Sequence, residues 1–486
     1  MTPPDAWSRR RFLAALGAVG TGLAVAGAST VESRRAPIAK PVVRSYASRP
    51  DLRPANLRIL ARADRRAAGS LLITPNGGSS AGGLMIIDDD GHLVWFKPIQ
   101  GATGLDLKVQ QHDGKPVLTL WEGSVVAGHG QGEHVIADAS YAELQRVQAQ
   151  GGYQADLHDF QLTDGGTALL LAYQPTPADL TSLGGPAAGL LLDAVVQEID
   201  LTDGHLVFEW RGADHVALDE SHAPLPSDAT QPFDFLHLNS VAVDHDGSLL
   251  VSARNTWTVY RIERSSGRVL WRLGGKRNDF AMSDGAAFAW QHDARRQSDG
   301  SLTLFDDGAD PPVESQSRGL VLNVDELTMT ASIARQYTHP DHVLTGSQGN
   351  LQQLADSAMV GWGAQPRLTE FSNDGRVLLD ATLPDGSSSY RAFRLPWTAA
   401  PSDPPRATLQ RSFGAITTHV SWNGATDVHS WRVLAGTAPD GLRPVTTRPR
   451  SGFETSISLD PTGPQIVVEA LDAAGLVLGA TTPIDS

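Results

Sequence analysis

Phe233-Asp234-Phe235-Leu236-His237-Leu238-Asn239-Ser240-Val241-Ala242-Val243-Asp244-His245-Asp246-Gly247-Ser248-Leu249-Leu250-Val251-Ser252-Ala253-Arg254-Asn255-Thr256 reads as two β-strands joined by an Asp-Gly turn. Val241 and Val243, then Leu249, Val251 and Ala253, alternate with polar residues, the period-two pattern of a half-buried hairpin. His237 and Asn239 are two residues apart and are therefore expected on one side of the first strand. An antiparallel return brings Arg254, at the end of the second strand, back beside His237. Imidazole, carboxamide and guanidinium on one rim suit an oxyanion such as sulfate or phosphate. The same residues also fit a surface hairpin with polar side chains at its mouth, so this motif alone is only a hypothesis.

Outward from the hairpin, a loose unit recurs: strand, Asp-Gly or similar turn, two further strands, and a last strand ending in an aromatic. Val195–Asp200 with Gly204–Trp210, Val259–Ile262 with Gly267–Trp271, and Gly83–Asp88 with Gly91–Trp95 are instances. Units of this kind, repeated every 40–60 residues or so, are the signature of propeller blades. Six are expected, beginning near Ser70, Leu105, Leu157, Leu236, Gln291 and Asn350, with Tyr390–Trp397 closing the ring and so removing exposed edges. Two longer connections, Thr176–Gly189 and Ala213–Pro232, are read as loops capping one face. The second carries His215 and His222 and is a candidate lid. After a proline-rich linker at 399–406, residues 407–486 alternate as a small β-sandwich of fibronectin III or immunoglobulin type, with Trp422 in its core. The expected organisation is therefore all-β: a lead-in over 31–69, a six-bladed β-propeller over 70–398, and the sandwich.

With 486 residues, 41% hydrophobic and 19% charged, the chain is long enough for two or more cores. A net charge of −15 disfavours nucleic acid or an anionic membrane as a general partner. The absence of cysteine excludes disulfides, thiolate nucleophiles and cysteine metal sites. At the N-terminus, Ser8-Arg9-Arg10-Arg11-Phe12-Leu13 precedes a Gly/Ala-rich apolar run to Ala28, too short and weakly apolar for a stable membrane span. Paired arginines before Phe-Leu resemble a twin-arginine export signal over 1–30, and the expected location is secreted or extracytoplasmic. An uncleaved amphipathic anchor is the alternative.

Aligning the repeats on their first strands puts His158, His237 and His292 at comparable places, each a few residues before its Asp-Gly turn, and Asn350 at the matching place in the last unit. First strands of a propeller line one channel, so these side chains are expected at one mouth, with Arg254 beside them. A single histidine at a strand start is more often a hydrogen-bonded loop residue; three in register weigh against that. His112, His205, His245, His339 and His342 read as surface residues. Trp95, Trp210 and Trp271 read as packing residues, and Trp290 as lining an aryl pocket. Three imidazoles could bind zinc, but Arg254 opposes a dication and no His-x-His or His-x3-His pair is present, so no metal and no cofactor is expected. Nucleophilic attack on sulfur or phosphorus by a neutral imidazole is the other chemistry open to this set. Gly274-Gly275-Lys276 lacks the spacing of a nucleotide-binding loop.

Leu236-His237-Leu238-Asn239-Ser240, Ser252-Ala253-Arg254-Asn255, Trp271-Arg272-Leu273-Gly274-Gly275 and Trp290-Gln291-His292-Asp293-Ala294-Arg295 together resemble the arylsulfate sulfotransferases, and most of all their actinobacterial and fungal branch. The resemblance covers roughly Ser70 to Trp397. It implies a six-bladed propeller that moves a sulfuryl group from an aryl sulfate donor to an acceptor phenol without the nucleotide donor PAPS. It implies that His292 becomes a transient sulfohistidine, that His237, Asn239 and Arg254 bind the sulfuryl oxygens, and that His158 assists the phenol oxygen. Asn255 stands where the enterobacterial branch has histidine, and neither that branch's N-terminal β-domain nor a counterpart of the C-terminal sandwich in the basic enzyme matches this chain. Two other functions remain open: a non-catalytic secreted propeller that binds surface glycan or protein, and a metal-dependent hydrolase.

Overall fold

The computed structural model describes residues 44–77, 82–412, 415–437, 440–460 and 463–486. The export signal expected over 1–30 and the first part of the lead-in lie outside the described residues. Among those described, the regular elements are β-strands and short 3-10 turns, and pairing is antiparallel except at Pro232–Phe233 and Ala281–Met282. No described helix is long and apolar enough to cross a membrane.

The hairpin forms as its alternation predicts, Leu238–Val243 against Leu249–Ala253 with Val243 opposite Leu249. It is not half-buried, however: every residue of Leu249–Ala253 is buried. Leu249 and Val251 pack with Trp210 and Tyr260 on one face, whereas Leu250 packs with Leu273, Leu302 and Leu320 on the other. A sheet covered on both sides has no solvent face for its polar residues. Ser240 and Ser252 instead accept hydrogen bonds from Ala294 N–H and Gln291 Nε2 of the neighbouring sheet.

Thr258–Ile262 and Val269–Gly274 complete this sheet in sequence order. The same simple order recurs in His292–Arg296, Leu302–Asp306, Arg318–Asp325, Thr330–Tyr337, and again in Asn350–Gln353, Ser357–Gly361, Arg367–Ser372, Val377–Thr382. Two further such runs, Thr103–Val147 and Ala155–Arg211, are joined into one large sheet through the single pair Gly132 and Ala155. The remaining sheet takes strands from distant parts of the chain: Ser387–Leu395 pairs with Ser70–Gly77, followed by Gly83–Ile87 and Leu93–Pro98. Thr103–His112, Ala155–Leu162, Leu238–Val243, His292–Arg296, Asn350–Gln353 and Ser387–Leu395 touch one another in that order, and the last touches the first.

Several expectations change. The lead-in adds an outer strand, Arg58–Arg62, paired with Val377–Thr382. The Thr176–Gly189 connection is shortened to the tip of a long hairpin, because Thr167–Ala178 and Gly189–Asp200 pair along their whole lengths and leave only 179–188, with its 3-10 turn at Thr181–Leu183, between them. His339 is buried beside Trp362, Arg367 and Asp380, not at the surface. Beyond Arg406 the chain forms a three-stranded and a five-stranded sheet, with Val420, Trp431, Val433, Ile457 and Val468 between them. Trp431 is the fully buried tryptophan of that unit; Trp422 lies at its edge, where its Nε1 finds the Asp403 carbonyl.

Candidate active site

His237 sits just before its strand in a left-handed conformation (φ 52°), and a register shift follows between Leu238 and Ser240. The two-residue period therefore does not place it beside Asn239. Asp234 does the positioning: Oδ1 accepts the His237 backbone N–H at 3.1 Å, and Oδ2 lies 2.6 Å from Nδ1. His158, within Ala155–Leu162, is held the same way, with Nδ1 hydrogen-bonded to Asp156. The His158 and His237 rings are 4.8 Å apart.

His292 opens the strand His292–Arg296, with Nδ1 2.7 Å from Asp307 Oδ2 and 3.2 Å from the Trp290 carbonyl. The Gln348 backbone N–H donates to Nε2 at 3.2 Å. A carbonyl acceptor on one nitrogen and a donor on the other assign the tautomer: the proton is on Nδ1 and the lone pair on Nε2. Burial, then the charges of Arg254, His158, His237 and Arg391, holds His292 well below the ordinary histidine range, so the ring is neutral. Burial also pushes the Asp307 carboxyl up, with Arg254 pulling it back.

The antiparallel return brings Arg254 N–H onto the His237 carbonyl at 2.9 Å. Its guanidinium stacks on Trp290 at 4.7 Å, donates to the Gly346 carbonyl at 2.9 Å, and keeps a buried Nε without a partner. Asn239 donates from Nδ2 to the Gln291 carbonyl at 2.7 Å, and its Oδ1 is buried and unpartnered. His158, His237, His292 and Arg254 thus converge. Two expected ligand contacts do not. Asn350 has both amide atoms on the backbone of Ala392, where it ties one strand to the next. Trp290 is 2% exposed, with Arg254 over its face and its Nε1 on the Pro311 carbonyl, so it supports the guanidinium and leaves no face for an aryl ring.

The structure adds residues that the sequence reading passed over: Asp156, Asp234, Asp307, Gln348 and, above all, His129. The His129 ring lies 4.8 Å from that of His237 and 4.4 Å from that of Tyr173, with Nε2 3.2 Å from Asp234 Oδ2. The signal for it was Gly128-His129-Gly130-Gln131-Gly132. A Cβ at Gly130 would stand 2.4 Å from Leu157 N, so only glycine lets this hairpin press onto the strand of His158. His129, Asp234 and His237 also bring potential metal-ligand atoms within 4.8 Å of one another, a grouping that pair spacing in the sequence did not reveal. The 2.6 Å separation of Asp234 and His237 is that of a hydrogen bond.

In the Ala213–Pro232 connection, the His222 ring stacks on Trp257 at 3.6 Å and the His222 backbone N–H donates to the Asn255 carbonyl, while Lys276 Nζ reaches the Asp219 carbonyl. Trp257 in turn meets Trp290 edge-on at 5.1 Å. His215 stacks on Trp210 instead. A cleft of about 910 Å³ lined by Arg65, Arg66, Leu354 and Arg376 shares no residue with the histidine cluster.

A family model described as arylsulfotransferase (ASST) matches residues 108–383, a span that includes His129, His158, His237, Arg254 and His292. No curated protein matches the chain. Among solved structures, the β-propeller domain of Myceliophteria thermophila Cps50 (Swd1) is 10% identical with a TM-score of 0.35, over 76% of this chain and 98% of that one. A catalytically inactive virginiamycin B lyase from Staphylococcus aureus with quinupristin is 9% identical with a TM-score of 0.34, over 74% of this chain and 94% of that one. A protein of unknown function from Dyadobacter fermentans is 12% identical with a TM-score of 0.34, over 76% and 96%.

Proposed function

The chain belongs to the arylsulfotransferase family, and from that premise we propose that it transfers a sulfuryl group from an aryl sulfate to an acceptor phenol through His292, without PAPS. The observation that carries this is the neutral His292, whose Nε2 lone pair lies in the same cluster as the Arg254 charge. In the first half-reaction Nε2 attacks sulfur; the N–S bond forms, the S–O bond breaks, and the electron pair leaves on the donor's phenolate oxygen. His158 protonates that oxygen. In the second half-reaction His237 Nε2 takes the acceptor's proton and returns it to His158, whose ring lies 4.8 Å away; the phenolate attacks sulfur, and the N–S bond breaks. Arg254 Nε, the second N–H of Asn239 Nδ2 and the Gln348 N–H are the donors for the sulfuryl oxygens. His237, with Nδ1 committed to Asp234, offers Nε2 as a base when neutral and as an oxygen donor only once protonated.

Six strands in cyclic contact, and a first sheet completed by Ser387–Leu395, support a six-bladed propeller over 70–398. The paired sheets after Arg406 support a fibronectin III-like sandwich over 407–486. The paired arginines support twin-arginine export.

The test is His292→Asn in the full chain with 4-nitrophenyl sulfate and a phenol acceptor. Turnover should be lost with the fold intact, and acid-quenched parent should carry an adduct of ~80 Da, a sulfuryl group on its nucleophile. Undiminished turnover in the variant removes His292 from this role. Metal-dependent hydrolysis is a second reading, favoured by the His129, Asp234 and His237 grouping; it requires stoichiometric metal and loss of activity with chelator.

A further inference from the structure

The hairpin of Lys115–Val126 and His129–Ala137 outruns its sheet. The strand before it pairs only as far as Gly123, the strand after it only from His134 onward, and Gly132 meets Ala155 in a single pair. What projects is a two-stranded arm, Ser124–Val126 against His129–Gln131, closed by Ala127 and Gly128. Both turn residues have positive φ, 49° and 84°, as in the type I′ turn whose twist suits a hairpin. Ser124, Val125, Val126 and Ala127 at its end are uncharged, and none of them is buried. An apolar tip with no packing partner of its own is an unusual use of two valines, unless something else covers it.

The arm ends at the reaction. A Cβ at Gly128 would stand 3.8 Å from His237 Cε1. That carbon is bonded to Nε2, the nitrogen left free because Nδ1 is committed to Asp234. The His237 side chain is also the accessible one of the three imidazoles, 15% exposed against 4% for His158 and 2% for His292. A phenol whose oxygen stands at His237 Nε2 therefore carries its ring outward past the tip of the arm. Opposed residues of an antiparallel pair share a face. Val126, opposite His129, thus lies on the face whose histidine ring is 4.8 Å from that of His237. Val125, opposite Gly130, lies on the other face, the one pressed against Leu157.

We propose that Val126 and Gly128 form the apolar wall of the acceptor's ring site, and that Val126 is a specificity-determining residue selecting uncharged, extended aryl rings. Gly128 leaves the gap beside the imidazole edge into which a flat ring slides, and Val126 supplies the methyl groups that cover it. Trp290 cannot serve instead, because Arg254 lies over its face. The assignment rests on the sulfuryl-transfer reading for the place of the phenol oxygen at His237.

The experiment compares the parent, Val126→Ala and Val125→Ala in the full chain, with 4-nitrophenyl sulfate as donor and phenol or 2-naphthol as acceptor. The two variants trim the same side chain from the same arm, so a general loosening of the arm changes both alike. Val126→Ala should lower kcat/KM for 2-naphthol about fivefold relative to phenol, through KM and not kcat, as expected for two partly buried carbons. Val125→Ala should keep the parent's ratio. An unchanged ratio in Val126→Ala overturns the proposal, as does an equal loss in both variants or a fall in kcat with KM kept. Binding of 2-naphthol without donor, followed by its fluorescence, separates the wall from the chemistry. A parent that transfers nothing, yet binds 2-naphthol more tightly than Val126→Ala by the same factor, removes the transfer reading and keeps the wall. Equal Kd in parent and Val126→Ala, or no saturable binding, removes the wall whatever the turnover.

Discussion

Each of three imidazoles is turned by an aspartate at its Nδ1: His158 by Asp156, His237 by Asp234, His292 by Asp307. A carboxylate there fixes the ring and the tautomer and leaves Nε2 for the reacting group. Asp307→Asn keeps the shape but can present an amide N–H to Nδ1, which moves the ring proton to Nε2 and removes the lone pair. The expected result is a fall in kcat of about 10³–10⁴, as for a triad histidine held in the wrong tautomer, with an unchanged thermal midpoint. A loss under tenfold in stopped-flow or steady-state assays would mean that Asp307 does not set the tautomer. Two of these pairs are local, Asp156-x-His158 and Asp234-x-x-His237, and were readable from the sequence as local hydrogen bonds. Asp307 was not, because it reaches His292 only through the pairing that sets His292 opposite Phe305. Trp290 was misread for a related reason: sequence names an aromatic, but only the fold shows that Arg254 covers its face.

At the scale of the element, the hairpin Lys115–Val126 and His129–Ala137 delivers His129, and it does so by pressing its tip against Ala155–Leu162. Gly130→Ala forces a Cβ to within 2.4 Å of a backbone nitrogen, so the tip must lift. It should lower kcat/KM at least about tenfold, an energy near 1.4 kcal/mol, and lower the thermal midpoint as well; wild-type kinetics would show that the hairpin gives way elsewhere. The same strand carries His134, stacked on Phe160 at 4.3 Å with both ring nitrogens buried and unpartnered. Burial, then Lys108, depresses it to about 3. A histidine kept neutral in the fold but free to protonate when unfolded contributes stability above its unfolded value near 6.5, and that stability is lost as pH falls toward 3. Each pH unit in that window costs about 1.4 kcal/mol. His134→Phe should therefore match the parent or exceed it at pH 7 and lose less stability between pH 6.5 and 4, read from urea midpoints across that range. Equal pH slopes would refute it. In the hairpin of Leu238–Val243 and Leu249–Ala253, alternation located the strands correctly and misjudged their exposure, because a period of two cannot tell a sheet with one wet face from one packed on both.

At the scale of the whole molecule, Asp106, Lys108, Asp159, Asp293, Arg295 and Arg391 meet among the inner strands as three carboxylates against three cations. They come from Thr103–His112, Ala155–Leu162, His292–Arg296 and Ser387–Leu395, so residues up to 285 positions apart close on one another. No local pattern announces such a group; each member reads alone as a surface charge, and only the return of the last strand to the Ser70–Gly77 sheet assembles them. Arg391 is central, with ion pairs to Asp106 at 2.9 Å, Asp159 at 3.1 Å and Asp293 at 3.2 Å, and a further bond to the Asn239 carbonyl. Breaking a buried network from one side leaves the opposite charges unpaired, which costs far more than the pairing gained. Arg391→Met should lower the free energy of unfolding by about 3–5 kcal/mol, and it should loosen the first sheet and the carbonyl of Asn239 together. Denaturant midpoints, with hydrogen exchange at Ser70–Gly77 and Leu238–Val243, measure both effects. A stability within 1 kcal/mol or so of the parent, below what one broken buried pair costs, would show that water or a neighbouring cation already serves these carboxylates and that the ring is held by its apolar faces alone.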